Sequence, residues 1–178
     1  MVRLRTERLV LREFVADDWR ALHAFESLPE VARYQSFDPR TVSESRVYVI
    51  EASMSAEEDP RLIYDLAVML AAEDRLVGRC GMGISDDDRH EALLWYTQHP
   101  DTWGRGYATE AARAMVSFGF GELRLHRIWA DCDPRNIASW RVLEKLGMRR
   151  EGHLRENAWI KEEWTDSLIY AILDREWV

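Results

Sequence analysis

Apolar and polar positions recur along this chain with two periods, two and about 3.6, and the points where the period changes mark its elements. Leu9-Val10-Leu11-Arg12-Glu13-Phe14 predicts a first strand. Asp17 then precedes Trp19, Leu22, Phe25 and Leu28, apolar positions at helical spacing that stop before Pro29. Thr41, with Glu44 three residues later, predicts a capping box for a second helix through about Ala56. Tyr64, Leu66, Val68 and Leu70 alternate with Asp65, Ala67 and Met69, and Arg75 to Ile84 follows a short acidic turn, so the two segments predict a hairpin. Asp86-Asp87-Asp88 predicts the next turn, a solvated acidic run. Glu91 to Thr97 predicts a strand that His99-Pro100-Asp101 ends. Ala108, Ala111, Ala112, Met115, Val116 and Gly119 then mark one helical face of small residues, which lets a helix lie close on a sheet. Arg127 to Cys132 predicts another strand, Asp133 to Met148 a helix stopped by Gly147, and Met148 to Leu154 with Trp164 to Leu173 the last strands. The sum is an α/β (α+β) chain, a mixed sheet with helices on both faces. No linker, low-complexity tract or repeat interrupts it, so residues 1–178 are expected to form one domain.

Composition narrows the function. A chain of 178 residues with 47% hydrophobic residues and eight tryptophans can bury a real core. The formal charge of −8 argues against nucleic acid and anionic membranes as partners and makes a cationic acceptor more natural. The start lacks the unbroken apolar core of a signal peptide and no 18-residue apolar run follows, so a cytoplasmic protein is expected. Cys80 and Cys132 are far apart, and the five histidines have no metal-ligand spacing; buried structural thiols and no metal are the expectation.

The candidate chemistry sits in Trp103-Gly104-Arg105-Gly106-Tyr107-Ala108-Thr109-Glu110-Ala111, two glycines and a cation between a strand and a helix. Glycine lets the main chain approach a ligand closely, and the unpaired N–H groups of a new helix aim at an anion. By itself the same turn also suits an ordinary tight loop. It is not a P-loop, since no G-x-x-x-x-G-K-[ST] exists, and Thr109 stands where a dinucleotide fingerprint needs its third glycine.

A second segment, Asn136-x-x-Ser139-x-x-x-Leu143-Glu144-Lys145-Leu146-Gly147-Met148-x-x-Glu151-Gly152, follows about 25 residues on. Together the two resemble the GNAT superfamily of acetyl-CoA-dependent N-acetyltransferases, in its RimJ/RimL-type, ribosomal-protein-alanine acetyltransferase-like branch. Thr6-Glu7-Arg8-Leu9-Val10-Leu11-Arg12 matches that branch's usual start, and the resemblance runs from Thr6 to about Leu173. It implies a mostly antiparallel central sheet and acetyl transfer to a primary amine by direct attack on the thioester. It implies further that the pyrophosphate of coenzyme A sits on backbone N–H groups from Gly104 through Arg105, Gly106, Tyr107 and Ala108 to Thr109. Trp103 opens that loop. The pantetheine arm would pair like an extra strand with Tyr96, Thr97 and Gln98, and an N–H near Tyr96 would meet the thioester oxygen. Asn136, by spacing alone a turn residue and helix cap, would hold the pantetheine; Ser139, by spacing alone a first-turn serine, would approach the sulfur.

The chain departs from the family at two places. Leu143 stands where many relatives carry a tyrosine acid, which leaves Ser139 to assist the thiolate. Leu93 stands where relatives commonly carry a glutamate base. Glu91, two residues earlier on the same strand face, is the first substitute, equally readable as a strand-edge glutamate; His90, His99 and a water chain are weaker ones. Acceptor specificity would come from Glu26 to Phe37 and from a loop Arg155 to Trp164, with Tyr34, Phe37, Trp159, Glu162 and Glu163 as candidates. The acceptor is an amine on a small molecule or a protein N-terminus; a homodimer stays open. The other class of reading is a non-catalytic acyl-CoA sensor that kept the cradle and lost the base.

Overall fold

The computed structural model describes residues 1–85 and 90–177, so the acidic turn Asp86-Asp87-Asp88 lies outside the described residues. The strands are β1 (Arg3–Arg5), β2 (Leu9–Arg12), β3 (Ile63–Leu70), β4 (Arg75–Ile84), β5 (Glu91–Gln98), β6 (Arg127–Cys132), β7 (Arg149–Ile160) and β8 (Glu163–Leu173). The helices are α1 (Trp19–Glu26), α2 (Pro29–Ala32), α3 (Val42–Ser55), α4 (Tyr107–Gly121) and α5 (Ile137–Lys145). One sheet takes all eight strands in the order β1-β2-β3-β4-β5-β6-β8-β7. Its neighbours are antiparallel except β5 and β6, which run parallel. The mixed, mostly antiparallel sheet that the resemblance implies is therefore present.

Both faces of the sheet are covered, which explains why β3 is apolar at nearly every position. Leu66, Val68 and Leu70 enter one core with Ala112, Met115 and Val116 of α4 and Leu143 of α5. Ala67 and Met69 enter the other with Leu22 and Phe25 of α1 and Val49 of α3. Each fully buried leucine or phenylalanine in these layers contributes roughly 1.5–3 kcal/mol. The capping box forms as its spacing predicts: Glu44 N–H donates to Thr41 Oγ1 at 3.2 Å, and Thr41 N–H to Glu44 Oε2 at 2.7 Å.

Three segments differ from the periodicity. β1 pairs with β2 from Arg3↔Arg12 to Arg5↔Val10, a pairing too short and too polar to show in sequence. Pro29 stops α1 but also opens α2 at its first turn, where a missing N–H costs nothing. The expected loop Arg155 to Trp164 is instead the end of a hairpin. β7 continues to Ile160 and β8 begins at Glu163, with Lys161 and Glu162 forming the tip at φ 52° and 62°. β7 is the outermost strand and exposed at most positions, so no buried face imposes an alternation, and a register shift between Leu154 and Ala158 breaks the rest.

Candidate active site

β5 and β6 hold together for three residue pairs, Glu91↔Arg127 to Leu93↔Trp129, and then part. Beyond Leu93 the edge of β5 that faces β6 has no strand beside it among the described residues, while β4 still pairs its other edge as far as Gln98. This notch leads to a short turn, Pro100–Thr102, and to the glycines. Gly104 and Gly106 have φ of 75° and 81°, left-handed conformations that side chains rarely adopt. Gly106 is the N-cap of α4 and supplies no capping side chain, so the first N–H groups of a 15-residue helix stay available to an anion. A Cβ at Gly104 would meet nothing within 4 Å, because that side of the turn is open. Trp103 Nε1 donates to the Gln98 carbonyl at 2.9 Å and ties the turn to β5.

The N-terminal segment frames the turn from outside. Arg8 donates to the Arg105 carbonyl at 3.0 Å, lies 4.6 Å from the Tyr107 ring centroid and pairs with Glu110 at 2.6 Å. Burial would raise the Glu110 carboxyl, but Thr6 and Arg8 bring it below its ordinary value. Arg105 and Tyr107 thus belong to the turn's frame, and neither lines the cleft.

The cleft itself has a volume of about 540 Å³. Tyr96, Thr97 and Gln98 line it from β5; Trp103, Gly104, Gly106, Ala108 and Thr109 from the turn and α4; Asn136 and Ser139 from the start of α5. Thr97 does so with its backbone side, since its hydroxyl donates to Glu26 on the opposite face at 2.8 Å. The sequence reading missed four cations of this lining, Arg33, Arg135, Arg141 and Lys145. The last two were legible as a pair four residues apart on one helix face.

A second cavity, of about 430 Å³, opens on the α1–α3 face. The two share Arg33, Tyr34, Gln35, Tyr96, Arg135, Asn136 and Ser139 as walls. At that junction the Tyr96 hydroxyl donates to the Ser139 carbonyl at 3.0 Å and lies 3.0 Å from Ser139 Oγ. Burial holds the Tyr96 phenol well above its ordinary range, so it stays protonated. Asn136 caps α5 by accepting the Ser139 N–H at 3.2 Å, which aligns both residues on the junction. Cys132 lines the second cavity, its thiol pushed up to about 12 by burial; the Cys80 thiol is raised further still.

Behind the second cavity lies a buried charge cluster. Glu26 is fully buried and accepts from Arg79 at 2.7 Å and Arg40 at 2.6 Å. Burial would raise its carboxyl, but Arg79, Arg40 and Thr97 bring it below its ordinary value. Arg79 also reaches Asp65 at 3.3 Å, and the Tyr48 hydroxyl donates to Asp65. Burial outweighs these partners there and raises the Asp65 carboxyl. Of the expected acceptor residues, Tyr34, Phe37 and Glu163 line the cavity; Glu162 and Trp159 do not, and the Trp159 ring packs against Trp164 on the exposed hairpin.

Residues 8–149 match the family model of the acetyltransferase (GNAT) domain. The chain belongs to the GNAT acetyltransferase family. It is 36% identical over 175 residues, 98% of each chain, to the uncharacterised N-acetyltransferase YnaD of Bacillus subtilis (strain 168). It is 28% identical over 88 residues, 49% of this chain and 45% of the other, to the [ribosomal protein uS5]-alanine N-acetyltransferase of Escherichia coli (strain K12). The relatives thus include the ribosomal-protein-alanine type of the sequence resemblance. Among solved structures, the GNAT-family acetyltransferase from Bacillus anthracis superposes with a TM-score of 0.88 at 34% identity, covering 98% of this chain and 100% of that one. The protein is an N-acetyltransferase, and acetyl transfer is the chemistry of this family.

Against the GNAT pattern, the two departures find their places in the fold. Leu143 is buried in the α4–α5 core and lines neither of the two cavities. Leu93 lines the second cavity. Glu91 lines neither cavity; its carboxylate accepts from Arg127 at 3.1 Å, and Arg127 also holds Glu151 at 2.6 Å. His99 packs against Phe25 and accepts from the Asp101 N–H at 3.3 Å, while His90 receives the His126 N–H on its carbonyl. Among the described residues no helix is long and apolar enough to cross a membrane, which says nothing of a β-barrel.

Proposed function

We propose that this protein transfers the acetyl group of acetyl-CoA to a primary amine by direct attack of the amine on the thioester. The observation that carries the reading is the meeting of two cavities at Tyr96 and Ser139: one flanked by a glycine turn and cations, the other by aromatic rings and carboxylates. The pyrophosphate would lie on the N–H groups of the Gly104–Thr109 turn, with Arg33, Arg141 and Lys145 adding charge. The pantetheine arm would fill the notch beside Tyr96 to Gln98 as an extra strand. That register brings the thioester to the junction, where an N–H of β5 meets the oxygen on which negative charge develops. Preorganised donors of this kind contribute about 2.7–4 kcal/mol to acyl transfer. Ser139 would hydrogen-bond the departing sulfur, and because a thiol of pKa about 8.5 is a fair leaving group, a strong acid at position 143 is not required.

The acceptor enters from the other side, between Tyr34, Phe37 and Trp95. Aromatic faces with carboxylates suit an ammonium that carries apolar substituents. A small-molecule amine and a protein N-terminus both meet that description, and cytoplasmic supply of acetyl-CoA goes with either. The test is titration calorimetry with acetyl-CoA followed by thiol release across a panel of amines. Micromolar-range binding with amine-stimulated release is the expected result. Binding without stimulated release by any amine would replace the enzyme with an acyl-CoA sensor.

A further inference from the structure

Four carboxylates line the acceptor cavity, Asp131, Asp133, Glu163 and Asp166, and three of them are engaged. Asp133 and Glu163 share the guanidinium of Arg135, at 2.6 and 2.8 Å. Asp166 accepts the Glu156 N–H at 2.8 Å and lies 2.6 Å from His153 Nε2. All three carboxyls are held below their ordinary values by these contacts. Among the described residues, the Asp131 side chain takes part in no ion pair and accepts from no other residue.

Its position is set by the sheet. Leu93 faces Trp129 in the last pair that joins β5 to β6, and Asp131 follows Trp129 by two residues, on the same face. By then β5 has turned away. β8 covers the other edge of β6 with the uncharged Ile169, so the open side of Asp131 is the cavity. The cations around that cavity are occupied: Arg79 and Arg40 by Glu26, Lys161 by the Ala32 carbonyl, and Arg33 by the Tyr34 ring at 5.0 Å. Tyr48 and Cys132 are neutral there, both raised by burial.

We propose that Asp131 is the general base of the transfer, taking from the acceptor ammonium the proton that Leu93 cannot take. The inference rests on the acetyltransferase reading above. One proton passes from the ammonium to an Asp131 oxygen, and the freed lone pair forms the C–N bond. The C–S pair then goes to sulfur, and the surplus proton on nitrogen goes to the thiolate. Asp131 returns its proton to cavity water. Partial burial raises the carboxyl above its ordinary value, which makes it the stronger base.

The experiment is a pH–rate profile of kcat/KM for an amine that the parent acetylates, run beside acetyl-CoA calorimetry. Asp131→Asn should lose about 10²-fold or more near pH 7, and the loss should shrink toward about pH 9.5 as the amine arrives neutral. Acetyl-CoA affinity should not change. Asp131→Ala should behave alike and recover rate with added formate, which a structural role would not give. Glu91→Gln should keep the parent's profile. An Asp131→Asn profile parallel to the parent's, or absence of formate rescue in a folded Asp131→Ala, overturns the assignment while leaving the acetyltransferase standing. A parent that releases no thiol with any amine overturns both.

Discussion

The two cavities that meet at Tyr96 and Ser139 are built by opposite means. The cleft proposed for the cofactor draws much of its wall from main chain, a strand edge, a glycine turn and the N-termini of α4 and α5, closed on the far side by residues 30–35. The cavity proposed for the acceptor is mostly side chain, assembled from α3, β4, β5, β6, α5, β7, β8 and the segment after α2. Backbone groups are the same in every residue, so a cleft made from them tolerates one ligand and many sequences. A wall of side chains carries specificity, and each of its members can change alone.

That contrast can be broken most forcefully at the charge cluster behind the acceptor cavity. Arg79→Ala should destabilise the fold by about 3–5 kcal/mol, because Glu26 and Asp65 would keep their burial and lose a shared cation. Chemical denaturation would read it, and a loss under about 1 kcal/mol would mean that the cluster is wetter than it looks. The same cluster sets an acid limit. Glu26 is lowered in the folded chain, so its contribution is fully present above its unfolded value of about 4.5 and lost as pH falls through the lower folded one. Glu26→Gln should flatten that acid slope in a melting-temperature series.

In the cofactor cleft the largest effect is expected at the turn. Gly106→Val places a branched side chain at φ 81°, and should weaken acetyl-CoA binding at least about tenfold while costing roughly 1–3 kcal/mol of stability. Unchanged affinity in a folded variant would place the phosphates elsewhere. Ser139→Ala should lower kcat by about tenfold with little change in the KM for acetyl-CoA, whereas Asn136→Ala should mainly raise that KM. Full turnover in Ser139→Ala would remove its chemical role. Smaller still, Arg141→Ala and Lys145→Ala should each raise the acetyl-CoA KM by about threefold to tenfold, less at high salt. The smallest effect is reserved for Trp159→Ala, within about 0.5 kcal/mol in stability and neutral for acceptor KM, since the ring stands on the exposed hairpin outside the cavity. An acceptor-dependent defect there would show that the cavity extends over the hairpin tip.

The sequence determined the elements whose faces are buried. β3, β5, β6 and the small-residue face of α4 could be read from periodicity, and the glycine turn and Asn136–Ser139 spacing could be read as motifs. These signals are local: a buried face forces an alternation, and a turn with positive φ calls for glycine. Where burial imposes nothing, as along the second half of the edge strand β7 and the three residues of β1, the pattern was silent, and Arg155 to Trp164 read as a loop. Only the tertiary structure decided which of two carboxylates lines the second cavity. Glu91 and Asp131 are 40 residues apart in sequence and equally acidic in it. The parallel pairing of β5 with β6 puts Arg127 beside Glu91, and the parting of the same two strands opens the cavity in front of Asp131. Charge pairing across strands is set by register, and register is a property of the assembled sheet.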